Sequence, residues 1–299
     1  MISEDIFDVE GPIFIGAKRE YKESSIGIIG ANYDGTTSYK PGTRFGPHAI
    51  RHASQCLETY CPKNDKDLLE INYCDLGSIK IGSNDTKSVI HKVKLGTEYL
   101  LQKGLRTLLL GGEHSITVGA IEAFINKYPN LILIQLDAHA DLRDSYQGNR
   151  YSHACTMQRC VEILPRQKIL QIGIRSGTKE EYKIMNKNKQ LIDLKEVNYK
   201  NYLLKKLNQF KDSPIYLTLD LDWFDPSLLS GTGTPEPGGF FWRDFENIIE
   251  ILSSFHIVGA DIVELSPDID PSGLSSVVAA KVVRTLIMTL DKSISKALF

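Results

Sequence analysis

Six short, nearly unbroken apolar runs punctuate this chain, each stopping abruptly at Gly or a charged residue. They are Ser25–Gly30, Thr107–Leu110, Leu131–Leu136, Ile169–Ile174, Ile215–Leu219 and Ile257–Glu264. A strand with one wet face alternates apolar and polar side chains. These runs do not alternate, so they read as strands covered on both faces, as in a parallel sheet. Amphipathic stretches lie between them. Asp85–Lys103 brings Val89, Ile90, Val93, Tyr99 and Leu100 to one face, and Trp242–Phe255 spaces Phe245, Ile248, Ile249 and Leu252 by three and four. Ser272–Asp291 is apolar around most of a helix circumference. Strands alternating with helices predict an α/β fold built from βαβ units.

The 299 residues suit one large α/β domain, and no repeat, low-complexity tract or linker divides them. Residues 1–299 are therefore read as a single domain, with residues 1–24 as an N-terminal extension and Gly231–Gly239 as a long loop. Thirty-five Lys and Arg against 37 Asp and Glu give a net charge of -2, which argues against a nucleic-acid or polybasic membrane binder. No apolar run approaches the ~18 residues of a membrane span. The start, MISEDIFDVEGP, is acidic where a signal peptide is basic and then apolar. Five cysteines without a C-x-x-C pair fit a reduced, cytoplasmic protein and make a cysteine-built zinc site a poor reading.

In open α/β sheets ligands collect beyond the carboxyl ends of the strands, and the unusual residues of this chain fall there. Asp137, His139 and Asp141 follow the run Leu131–Leu136; in extended chain, positions i, i+2 and i+4 project to one side. Asp220 and Asp222 follow Ile215–Leu219, and Gly111-Gly112-Glu113-His114 follows Thr107–Leu110. A lone D-x-D often caps a helix, and a lone G-G-E-H often serves a turn. Three such clusters at the same ends of three strands fit a divalent-metal site better, since buried like charges need cations or protons to neutralise them. The oxygen-rich donor set favours Mn²⁺, with Zn²⁺, Fe²⁺ and Co²⁺ also compatible with the imidazoles. His153, on a loop beyond Asp141, is a candidate proton shuttle. Glu264, ending a strand, could accept paired hydrogen bonds from a planar cation or simply salt-bridge a helix.

Taken in order, several motifs resemble the signatures of the ureohydrolases, the family of arginase and agmatinase. They are Gly-Gly-Glu-His-Ser (111–115), Asp-Ala-His-Ala-Asp (137–141), Asp-Leu-Asp-Trp-Phe-Asp-Pro (220–226), Gly-Thr-Gly-Thr-Pro-Glu-Pro-Gly-Gly (231–239) and Glu-Leu-Ser-Pro-Asp-Ile-Asp (264–270). Tyr33-Asp34-Gly35, the stretch from Arg44 to Pro47, and Arg51 resemble the family's N-terminal loop. The resemblance implies a three-layer αβα fold, arginase/deacetylase-like, around a mostly parallel eight-stranded sheet, and a centre of two Mn²⁺ ions. It implies that His114, Asp137, Asp141 and Asp220 hold one ion and Asp137, His139, Asp220 and Asp222 the other. A water activated between the two ions would attack the guanidinium carbon, releasing urea. By the same resemblance, His153 moves the proton, Asp141 also accepts a hydrogen bond from the nucleophile, and Glu264 orients the guanidinium. Asn149 would join His153 and Glu264 against the substrate.

Arginases carry an Asn two residues after the last Asp of the D-x-H-x-D motif, where this chain has Arg143. That segment, with Thr-Pro-Glu-Pro-Gly-Gly, looks like agmatinase. The expectation is hydrolysis of agmatine to putrescine and urea, a step of polyamine synthesis, by a homo-oligomer (trimer or hexamer). An arginase or a guanidino-acid hydrolase, whose carboxylate would meet Arg143 or Arg150, is the alternative within the family. Outside it stand a metal-dependent amide or phosphoester hydrolase and a metal-holding, non-catalytic regulator. Trp223 and Phe224 are bulkier than the family's small apolar residues and are expected to narrow the pocket.

Overall fold

The computed structural model describes residues 4–82, 85–192 and 199–297; residues 1–3 of the expected extension and 298–299 lie outside the described residues. The strands are β1 (Phe7–Asp8), β2 (Ile26–Ala31), β3 (Tyr60–Cys61), β4 (Lys66–Asp67), β5 (Tyr73–Ile79), β6 (Arg106–Gly111), β7 (Ile132–Leu136), β8 (Ile169–Ile172), β9 (Leu191–Ile192), β10 (Ile215–Asp220) and β11 (Ile257–Val263). The α-helices are α1 (Gly46–Ser54), α2 (Thr86–Gln102), α3 (Thr117–Lys127), α4 (Thr156–Ile163), α5 (Lys179–Asn188), α6 (Tyr199–Asn208), α7 (Trp242–Leu252) and α8 (Leu274–Ala297). Nine strands form one sheet in the order β1-β5-β2-β6-β11-β10-β7-β8-β9, and β3 and β4 form a separate hairpin.

The apolar runs form the strands because both faces of the sheet are covered. Along β2, Ile26 and Ile28 enter one core and Ile29 and Ala31 the other; Leu108 and Leu110 of β6 part from Leu109 in the same way. The first core is closed by Ile50 of α1, Leu203 of α6, Phe245 and Ile248 of α7 and Val282 and Leu286 of α8. The second is closed by Val89 and Val93 of α2, Phe124 of α3, Met157 of α4 and Met185 of α5. This is the three-layer αβα arrangement. Among the described residues no helix is long and apolar enough to cross a membrane.

All pairings from β5 through β9 are parallel, which gives the eight parallel strands expected. The ninth is an addition: β1 pairs antiparallel with β5, Phe7 opposite Ile79. Phe7 also packs edge-on against Tyr99 at 5.4 Å, and Phe14 is fully buried, so residues read as an extension are partly built into the sheet and core. The run expected to reach Ile174 leaves the sheet after Ile172. Gly173 has φ 93°, and a Cβ there would lie 2.3 Å from Trp223 Nε1.

Candidate metal centre and active site

Strand register brings the site together. In the middle of the sheet β6, β11, β10 and β7 are neighbours, although β10 and β11 come late in the chain. Leu219 is level with Leu136, so Asp220 and Asp137 leave the sheet at one height. Asp220 is level with Val263, so Glu264 follows one residue beyond. Leu110 is level with Ile262, and the Gly111-Gly112 turn then swings His114 over the same edge. Only glycine fits at position 112, where a Cβ would stand 1.9 Å from the Tyr33 carbonyl oxygen.

Two groups of donors result. His114, Asp137 and Asp141 have one ligand atom each within 4.8 Å of one another, and so do Asp137, His139 and Asp222. Asp137 belongs to both. His114 Nδ1 lies 3.1 Å from Asp137 Oδ2, 3.2 Å from Asp141 Oδ2 and 3.4 Å from Asp220 Oδ2. His139 Nδ1 lies 2.8 Å from Asp222 Oδ2 and 3.8 Å from Asp137 Oδ1. The extended spacing expected for Asp137, His139 and Asp141 holds for the first two only. Asp141 has φ 52°, a left-handed conformation that Asp tolerates better than most residues, and this turn sends its carboxylate toward His114.

The carboxylates are held by the chain itself. Asp137 Oδ2 accepts from Gln135 Nε2 at 2.6 Å and its Oδ1 from the His139 amide at 2.6 Å. Asp222 Oδ1 accepts from the Ala138 amide at 3.1 Å, and Asp220 Oδ1 from the Asp222 amide at 2.9 Å. His114 Nε2 lies 2.9 Å from Thr218 Oγ1, which itself donates to buried Asp261 at 2.5 Å. Since Thr218 spends its proton on Asp261, it accepts at His114 Nε2–H, and Nδ1 is the ring nitrogen left to face the three carboxylates. Sequence reasoning missed Thr218 and Asp261. The signal for Asp261 was a lone carboxylate inside an apolar strand, which demands buried partners.

Electrostatics show what this arrangement requires. Burial, reinforced by the charges of Asp222 and Asp141, raises Asp137 to about 7. Burial likewise pushes Asp220 well above the ordinary carboxylate range, with Asp222 and Asp137 adding to the shift. Burial opposes charging of His139, but Asp222 outweighs it and lifts the imidazole to about 11; for Asp222 burial is outweighed in turn by His139, and it falls to about 2. Burial also opposes a charge on His114, yet its three carboxylates raise it well above the ordinary range. Without cations the cluster must collect protons, which divalent ions would displace. His114 Nδ1 is buried with no hydrogen-bond partner, though carboxylate oxygens stand near it: donors aimed at a point between them and not at each other. The residues fit divalent metal.

A cavity of about 200 Å³ opens onto this cluster, lined among others by Asp141, Asp220, His139, His153, Ser38 and Arg143. His153 is buried, with Nδ1 3.0 Å from Glu264 Oε1 and Nε2 3.0 Å from Ser38 Oγ. Burial opposes its charge, but the Glu264 carboxylate prevails and lifts it to about 9. Glu264, at φ 66°, also accepts from the His114 amide at 2.8 Å, while its Oε2 is buried without a partner. Glu113, given no role from sequence, accepts from the Thr36 amide at 2.6 Å and from the Thr36 hydroxyl; that hydroxyl receives the His153 amide at 2.9 Å. Asn149 is not brought to the cavity wall; its Oδ1 accepts from the Tyr151 amide at 2.8 Å in a local turn. Arg150 pairs outside with Glu162 at 2.9 Å. Trp223 and Phe224 do not narrow the pocket. Both are fully buried, Trp223 stacking on Phe240 at 4.7 Å, because the chain turns them into the apolar core beneath the site.

The profile of the Arginase family matches residues 24–289. The chain belongs to the arginase family. Membership makes it a ureohydrolase, and its relatives agree. An agmatinase of Bacillus anthracis is 36% identical over 283 residues, covering 93% of this chain and 96% of that one. The N(1)-aminopropylagmatine ureohydrolase of Thermococcus kodakarensis is 38% identical, with 83% and 86% covered. The crystal structure of the agmatine ureohydrolase of Thermoplasma volcanium superposes with a TM-score of 0.84 at 32% identity, covering 98% of each chain.

Proposed function

We propose that this ureohydrolase converts agmatine to putrescine and urea at a centre of two Mn²⁺ ions. The observation that carries the reading is the pair of largely buried His/Asp groups that share Asp137 and reach a cavity through His139 and Asp141. In this reading His114, Asp137, Asp141 and Asp220 hold one ion and Asp137, His139, Asp220 and Asp222 the other. Bound there, divalent ions would supply a water-derived nucleophile near neutral pH. The protein's own groups do the rest. Glu264 Oε2, buried and without a partner, accepts a charge-assisted hydrogen bond from the guanidinium and orients its carbon. His153, raised to about 9, is protonated at neutral pH and delivers its proton to the departing amine. Ser38 receives Nε2–H at 3.0 Å and fixes the imidazole plane.

A carboxylate-bearing substrate is the second reading, because Arg143 lines the cavity. Its guanidinium already lies over the Tyr146 ring at 5.0 Å and within 3.9 Å of buried Glu181, which offsets its charge and favours a substrate ending in an amine. Urea release by Mn²⁺-loaded protein tests the choice: kcat/KM for agmatine should exceed that for arginine and 4-guanidinobutyrate by about tenfold or more, equal to about 1.4 kcal/mol. A faster reaction with either acid would reassign the substrate. The single sheet running from Phe7 to Val263 supports one domain, and five free cysteines support a reducing, cytoplasmic setting. Exposed Tyr39, Phe45 and Leu274 support a homo-oligomer, which we take to be a trimer or hexamer.

A further inference from the structure

A second cavity, of about 530 Å³, lies between α7, α8 and the β3–β4 hairpin and shares no lining residue with the metal centre. Its electrostatics are unfinished. Lys63 faces Glu246 at 3.5 Å and Lys66 pairs with Asp291, but Arg284 and Lys281, one turn apart on α8, have no acidic partner among the described residues. Arg284 is only 7% exposed. Its Nη1 donates to the Glu58 carbonyl at 2.7 Å, and its Nε is buried with no partner. With Nη1 committed and Nε closed off from anything the size of a water, Nη2 is the donor left to meet an anion in the cavity. A buried guanidinium can satisfy a donor with water, but its charge calls for an anion. Beside it Lys281 sits 5.0 Å above the Trp242 ring, and Met288 and Ile249 supply apolar wall. The volume falls within the range of small-molecule sites.

We propose that this cavity is a second binding site, taking a small molecule that presents a phosphate or carboxylate group to Nη2 of Arg284, with Lys281 reinforcing the charge and Trp242 flanking the ligand body. The site is independent of the reaction assigned to the metal centre.

Trp242 is one of only two tryptophans, so its fluorescence reports on the cavity. The experiment titrates full-length, metal-loaded protein with inorganic phosphate and separately with benzoate, reading the Trp242 signal as the difference between the wild type and Trp242→Phe. At least one probe should give a saturable change, and which one saturates tells phosphate from carboxylate. Arg284→Gln should abolish that change and Lys281→Gln should weaken it about tenfold, the scale of one charge-assisted contact. Arg284 also anchors the hairpin backbone, so Arg284→Lys, which keeps the charge and loses the Nη2 donor, serves if the Gln variant fails to fold; it too should weaken binding about tenfold. Absence of saturation with both probes, or saturation unchanged in the folded Arg284 and Lys281 variants, overturns the proposal.

Discussion

At the scale of single residues, the chemistry turns on protons and where they are held. His153 is raised to about 9 by Glu264 despite its burial, against an ordinary value of about 6.5. A raised imidazole contributes stability that is complete below about 6.5 and lost as pH rises through about 9, and it loses the proton it would donate over the same window. We therefore expect the pH profile of kcat to fall on an alkaline limb near 9. His153→Ala should lower kcat by about 100-fold or more while leaving the metal content unchanged, and should erase that limb. Steady-state rates from pH 6 to 10 with parallel metal analysis check this; metal loss in the variant would contradict the role. Most of these residues were legible because acids and imidazoles directly after buried strands stand out from the pattern. Thr218 and Glu113 were not, since a Thr in a strand and a Glu after two glycines look ordinary until their partners, His114 and Thr36, are brought across the fold.

At the scale of elements, legibility followed burial. Strands whose residues are all apolar announced themselves; β5 did not, because Asp75, Gly77 and Ser78 interrupt it. The structure supplies the reason. Asp75 is fully buried and bound in a two-pronged pair with Arg51 of α1, Nε to Oδ2 at 2.8 Å and Nη2 to Oδ1 at 2.9 Å, and it also accepts the Phe14 amide at 2.9 Å. The partner lies 24 residues away, beyond the reach of any local pattern. β9 escaped notice for another reason, being two residues at a sheet edge. Asp75→Ala should strand the buried Arg51 charge and the Phe14 amide together. The expected cost is about 3–5 kcal/mol in urea unfolding of the full chain, as for other buried ion pairs broken on one side. A loss below about 1 kcal/mol would show that the pair is solvated and that α1 is held by its apolar contacts alone.

At the scale of the whole molecule, a parallel sheet with late-arriving central strands does the assembling. Inserting β10 and β11 between β6 and β7 brings acids from positions 137, 220 and 222 to one edge beside His114, with His153 in the pocket wall and Glu264 bonded to it from behind. The motifs revealed which residues belong together, while the register shows why they meet at one height. The left-handed turns at Asp141 and Glu264 complete the convergence and were not visible in spacing alone. Crystals of Mn²⁺-loaded protein, measured for anomalous scattering at the manganese edge, provide the direct test. Two peaks are expected flanking the Asp137 carboxylate, one beside His114 and one beside His139. A single peak, or none with the six side chains turned apart, would contradict the two-ion reading.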